Sequence, residues 1–127
     1  MKIWVDDIRQ APEGYMWCRS VNEAIRLIKT SDKRIQWLMD TGHACFLQRD
    51  YTGRDVCYNH ANRWDIELID LDHDAGDYAS DGGDYIKLLD WLEETGRNYP
   101  IRIHSMNPVG IENMRRVIER NQWIEVR

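Results

Sequence analysis

The sequence predicts an α/β domain built around a mainly parallel sheet, on three observations. Short apolar runs alternate with helical patterns along most of the chain. Two helix-start signals, Ser20-Val21-Asn22-Glu23 and Asn107-Pro108, each follow a strand-like segment. Three of the apolar runs end in polar groups, Asp6-Asp7, Asp72-His73-Asp74 and His104-Ser105, as strands do when a parallel sheet uses its carboxyl edge to bind.

Taken in order, Lys2 to Val5 is a short apolar run and reads as a buried strand. Pro12 and Gly14 mark a loop, and Tyr15 to Cys18 forms a second strand. Only about eight residues separate the two, too few for an ordinary crossover helix, so the connection is an extended loop or the second strand lies elsewhere. The capping box at Ser20 opens a helix over about residues 21 to 30, with Ala24, Ile25, Leu27 and Ile28 at helical spacing. Residues 31–64 show no single period and read as an insertion. Within it, Thr52-Gly53 between Cys45-Phe46-Leu47 and Val56-Cys57-Tyr58 suggests a hairpin.

Ile66 to Leu71 is the next strand. The acidic, glycine-rich loop from Gly76 to Gly83 leads into a helix with Tyr85, Leu88, Leu89 and Leu92 on one face and a stop at Gly96. Pro100 precedes the strand Ile101 to His104. Asn107 as cap and Pro108 at the first helical position start a helix striped by Ile111, Met114, Val117 and Ile118. Gln122 to Val126 is the fifth and last strand.

The chain of 127 residues fits one domain, 1–127, carrying the insertion at about 31–64. Its 43% hydrophobic content and six Trp exclude wholesale disorder, and Trp37, Trp64, Trp91 and Trp123 read as packing residues. No apolar run approaches the roughly 20 residues of a membrane span, and Met1 to Asp7 lacks a signal-peptide pattern, so a cytoplasmic protein is expected. Cys18, Cys45 and Cys57 have no framework spacing and read as reduced thiols.

The net charge of −5 is unevenly distributed. Eight carboxylates and no Lys or Arg lie between Asp65 and Asp84, so without them the chain carries +3. The strand ends should bring Asp6, Asp7, Asp72, His73 and His104 to one pocket. Carboxylates gathered in a cleft repel unless they hold a cation, and a hard divalent ion, Mg²⁺ or Mn²⁺, suits oxygen ligands from Asp6, Asp7, Asp72 and Asp74 while leaving positions for a phosphate. His73 and His104 could exchange protons with an attacking or leaving oxygen, as opening a phosphodiester requires. Arg9, Ser105 and Asn107 could position the phosphate, with amides at the start of the Asn107-Pro108 helix nearby. Within the insertion, His43, Cys45, Cys57 and His60 offer enough ligands for a structural Zn²⁺ beside a hairpin with little core of its own.

Asp6-Asp7-Ile8-Arg9, Leu71-Asp72-His73-Asp74-Ala75-Gly76 and His104-Ser105-Met106-Asn107-Pro108-Val109-Gly110 resemble the motifs of the cyclic-phosphate-processing receiver-like family. The resemblance spans nearly everything outside residues 31–64. It implies a receiver-like, flavodoxin-type sheet of five strands in the order 2-1-3-4-5 and an activity on cyclic phosphates or related nucleotides. Asp72 matches the receiver phosphoacceptor and Asp6-Asp7 its metal pair. His104 stands where receivers place Ser or Thr, and Trp123 to Val126 lacks their phosphate-pairing Lys, which argues against ordinary phosphorelay. The expectation is a metal-dependent phosphoesterase acting on a cyclic phosphate or phosphodiester of a nucleotide or RNA end, without affinity for duplex DNA or membranes. The alternatives are a noncatalytic module that binds a phosphorylated nucleotide, and a phosphoacceptor in signalling.

Overall fold

The computed structural model describes residues 1–40, 46–49, 55–58 and 65–127. Strands β1 (Lys2–Val5), β2 (Tyr15–Cys18), β5 (Leu68–Leu71) and β6 (Ile101–Ile103) form one all-parallel sheet in the order β2-β1-β5-β6. Strands β3 (Phe46–Arg49) and β4 (Asp55–Tyr58) pair antiparallel, Phe46 opposite Tyr58 and Arg49 opposite Asp55. The expected hairpin pairing is present, its register centred on position 52 and not between Thr52 and Gly53. The helices are α1 (Val21–Asp40), α2 (Ile86–Glu94) and α3 (Pro108–Arg120), with a short 3-10 helix at Gly76–Ser80.

Local signals behave as their chemistry dictates. The Ser20 hydroxyl accepts the Glu23 amide at 3.0 Å and the Glu23 carboxylate accepts the Arg19 amide at 3.0 Å, which caps α1. After α2, Gly96 adopts φ +68°, its amide bonds Glu93 O, and the Arg97 amide bonds Leu92 O, the paired closure of a Schellman motif. Helix α1 runs ten residues past its expected end at residue 30. Its buried stripe is Val21, Ala24, Ile28 and Ser31, and the small polar residue at the last position conceals the period.

The parallel β1–β2 pair is real, and the segment from Asp6 to Gly14 joins it as an extended loop without a helix. The fifth strand is the main correction to the expected sheet. Beyond β6 the chain makes a single parallel bridge, Ile101 with Glu125, supported by Ile101 N to Ile124 O at 2.9 Å and Val126 N to Ile101 O at 2.8 Å. Only Trp123 of this segment is buried, whereas Ile124 is 65% exposed. One anchoring side chain against a three-residue neighbour is too little to extend a ladder.

One hydrophobic core collects Ile3, Val5, Ile69, Leu71 and Ile101 from the sheet with residues of all three helices. The register places these strand residues on one face, so α1, α2 and α3 all pack there. No helix among the described residues is long and apolar enough to cross a membrane. Ile69, fully buried in an inner strand, anchors this layer. Ile69→Ala should therefore lower unfolding free energy by about 2–5 kcal/mol, measured as a drop in urea midpoint.

Candidate functional site

Val5, Leu71 and Ile103 lie side by side in register, so the residues that follow them share the carboxyl edge. Backbone bonds continue past the strands: Asp6 N to Cys18 O at 3.1 Å, Asp72 N to Val5 O at 3.0 Å and His104 N to Leu71 O at 3.0 Å. Arg19, Asp6, Asp72 and His104 therefore stand in one row. Asp7 joins Asp6 and Asp72 so that one oxygen from each carboxylate lies within 4.8 Å of the others.

Electrostatics divides this trio. Burial pushes Asp6 up, but the Arg9 and Ile8 amides, each 2.9 Å from Oδ1, together with His104, outweigh it and hold its pKa below the ordinary 3.8. Asp7 goes the other way, raised first by burial and then by the charges of Asp6 and Asp72. Three oxygens at this spacing, one on a carboxyl group that resists ionising alone, fit a hard divalent cation. Gly76, at φ +54°, makes room for them, because a Cβ there would overlap Asp7 Oδ2.

His104 is held on every side. Its Nδ1 lies 2.6 Å from Asp70 Oδ1 and its Nε2 2.9 Å from Asp6 Oδ2, while the ring stacks on Trp4 at 3.8 Å and 6°. Each ring nitrogen is thus engaged by a carboxylate oxygen. Neither nitrogen is left to face a ligand.

His73 is placed differently. Its Nδ1 meets Asp74 Oδ1 at 3.0 Å and, more distantly, Asn107 Nδ2 at 3.4 Å, while Nε2 has no hydrogen-bond partner among the described residues. The ring rests on the first turn of α3, where a Cβ at Gly110 would overlap it. Asp74 thus serves His73 and lies outside the Asp6, Asp7 and Asp72 group.

The expected phosphate-positioning residues are at the same edge. Arg9 donates Nη1 to His104 O at 3.1 Å. Ser105 Oγ accepts the Asn107 amide at 3.1 Å, and Asn107 Oδ1 accepts the Gly110 amide at 3.0 Å, so both hold the start of α3. His43, Cys45 and His60 lie outside the described residues, and for Cys57 only its place in β4 is described.

Sequence reasoning missed Asp70 and Trp4 as parts of the site, the two residues that fix His104. Asp70, 2% exposed between Ile69 and Leu71, was detectable as an acid inside an apolar strand. It also missed Tyr85, fully buried, whose hydroxyl donates to Arg19 O at 2.7 Å. Burial and the nearby carboxylates, Asp7 foremost, raise its pKa and keep the proton in place.

Fold and edge together define an α/β domain with a receiver-like parallel sheet and a cluster of acids able to bind a divalent cation. The chain belongs to the family of the Cyclic-phosphate processing Receiver domain, whose family model matches residues 1–58 and 54–120. Searches of curated proteins and of solved structures found no match.

Two outcomes follow from the local geometry. Because the Asp7 pKa is raised on folding, its ionisation costs stability above the folded value and nothing below about 3.8, its unfolded value. Asp7→Asn should raise the melting temperature of metal-free protein at pH 7, with the gain fading as pH falls through the raised folded value and gone by about 3.8. Gly110→Ala should move the His73 ring resonances in an NMR spectrum while His104 stays in place.

Proposed function

We propose that this protein is a metal-dependent phosphoesterase acting on a cyclic phosphate or phosphodiester of a nucleotide or RNA end. The observation that carries the reading is the convergence of the Asp6, Asp7 and Asp72 oxygens within 4.8 Å, on the same sheet edge as the Asp74-supported His73. Membership of a family described as cyclic-phosphate processing supports it.

Asp6, Asp7 and Asp72 would hold the cation, which supplies positive charge to a phosphoryl oxygen and orients it. His73 is the proton carrier: Asp74 holds Nδ1, leaving Nε2 to take a proton from the attacking water or return one to the leaving oxygen. As water forms a bond to phosphorus, one ring P–O bond breaks, and the proton lost by water ends on the released hydroxyl. His104 is a positioning residue, fixing the Asp6 carboxylate through Nε2. Arg9 reaches the edge from the β1–β2 loop and supplies a cation to the phosphate.

The test is turnover of 2′,3′- and 3′,5′-cyclic nucleotides with Mg²⁺ or Mn²⁺. Wild type should convert at least one, and His73→Ala should lose about 10²–10⁴-fold in kcat. Asp72→Asn should abolish both turnover and Mg²⁺-dependent stabilisation, which in wild type amounts to about 2.7 kcal/mol at a hundredfold excess over Kd. Tight binding by wild type without turnover of any substrate would leave a binding module in place of an enzyme. Labelling of Asp72 by a small phosphodonor would instead make it a phosphoacceptor.

A further inference from the structure

The sheet has a second face. All three helices pack against the side bearing Ile3, Val5, Ile69, Leu71 and Ile101. All-parallel sheets are ordinarily covered on both sides. Among the described residues, no helix covers the other side.

Register puts Lys2, Trp4, Tyr15, Trp17, Leu68, Asp70 and Arg102 on that second face. Its aromatic side chains are half-buried, none belongs to the core, and each carries a cationic or imidazole partner. Lys2 Nζ lies 5.6 Å over Tyr15, the Arg19 guanidinium 4.3 Å over Trp17, and the His104 ring stacks on Trp4. Asp70, the one acid that the strand register places there, is buried, bound to His104 and 3.9 Å from Arg102 Nε, so Lys2 and Arg19 carry the charge that no carboxylate of this face offsets. The exposed charge is therefore positive, in a chain whose net charge is −5.

This surface is continuous with the acidic edge. Trp17 Nε1 donates to Asp6 O at 2.8 Å and Trp4 Nε1 to Arg9 O at 2.9 Å, so both indoles are tied to the loop that carries Asp6 and Asp7. A ligand running along the sheet toward the edge meets Lys2 and Tyr15 first, then the indoles, then the carboxylates.

Aromatic rings interleaved with cations suit a flexible polyanion whose flat bases are free to stack, with phosphates meeting the cations. A duplex keeps its bases inside its own stack. A second copy would set Lys2, Arg19 and Arg102 against like charges. Resting on the phosphoesterase reading, we infer that this sheet face is a binding track for single-stranded RNA, and that the end of such a strand is a better substrate than a free mononucleotide.

The experiment uses the full chain and a fluorescein-labelled ten-nucleotide RNA of mixed sequence ending in a 2′,3′-cyclic phosphate. Binding is followed by anisotropy in EDTA, and turnover separately in Mg²⁺ beside the matching cyclic mononucleotide. Wild type should bind the strand in EDTA, with affinity falling as salt rises, and ignore the same sequence as a duplex. K2E/Y15A, altered at the end of the track remote from the carboxylates, should weaken strand binding about tenfold while keeping its melting temperature and its activity on the mononucleotide. Turnover of the mononucleotide without binding of the strand would overturn the track and leave the site reading intact. Strand binding that K2E/Y15A reduces, without turnover of any substrate, would support the track while removing the phosphoesterase reading. Unchanged binding by K2E/Y15A, or a dimer in sedimentation that this variant dissolves, would overturn the track.

Discussion

The carboxyl edge of this sheet depends on one clamp, the His104 imidazole between the carboxylates of Asp6 and Asp70. Those carboxylates are 1% and 2% exposed, and buried charge is tolerated only when it is paired and hydrogen-bonded. Trp4 closes the open side by stacking on the ring. Because Asp6 follows β1, Asp70 lies in β5 and His104 follows β6, the clamp ties three strands together where the chain turns toward the site. It also decides what His104 can do. A ring with both nitrogens occupied holds its neighbours in place, whereas among the described residues His73 is bonded only through Nδ1.

Around that clamp the acids are deliberately unequal. Asp6 is satisfied by two amides and His104, so its charge is stable in the folded chain. Asp7 receives less compensation and bears the repulsion of Asp6 and Asp72. The folded chain therefore stores an electrostatic cost beside a well-fixed carboxylate, and a divalent cation held by the three acids would relieve it. Gly76 and Gly110 belong to the same economy of space, since a methyl group at either would displace Asp7 or His73.

Among the described residues the helices lie on one face of the sheet because of short connections. A loop rather than a helix joins β1 to β2, and the last segment makes a single bridge to β6. All described helices consequently fall on one face, and the core is built there. Trp4, Tyr15 and Trp17 remain on the opposite face, where their partners are Lys2, Arg19 and His104 instead of aliphatic side chains.

Much of this was legible in the residues themselves. Alternating periods, the Ser20 and Asn107 caps and the Gly96 stop are local devices, fixed by backbone groups within a few positions, so they read directly from spacing. Strands ending in Asp6-Asp7, Asp72-His73 and His104 sufficed to forecast a shared edge, because parallel pairing aligns strand ends. The length of α1 was hidden by Ser31, a small polar residue on the buried stripe. The fifth strand was overread because Trp123 to Val126 has strand composition, whereas a ladder needs a neighbour long enough to pair. The partners of each imidazole were beyond reach for a different reason: His104 meets Asp70 and Asp6 across 34 and 98 positions of chain, and only folding sets such distances. Sequence alone determined which chemical groups gather at the edge; tertiary structure decided which of them are held on both ring nitrogens and which, among the described residues, on only one, because that choice depends on contacts between strands.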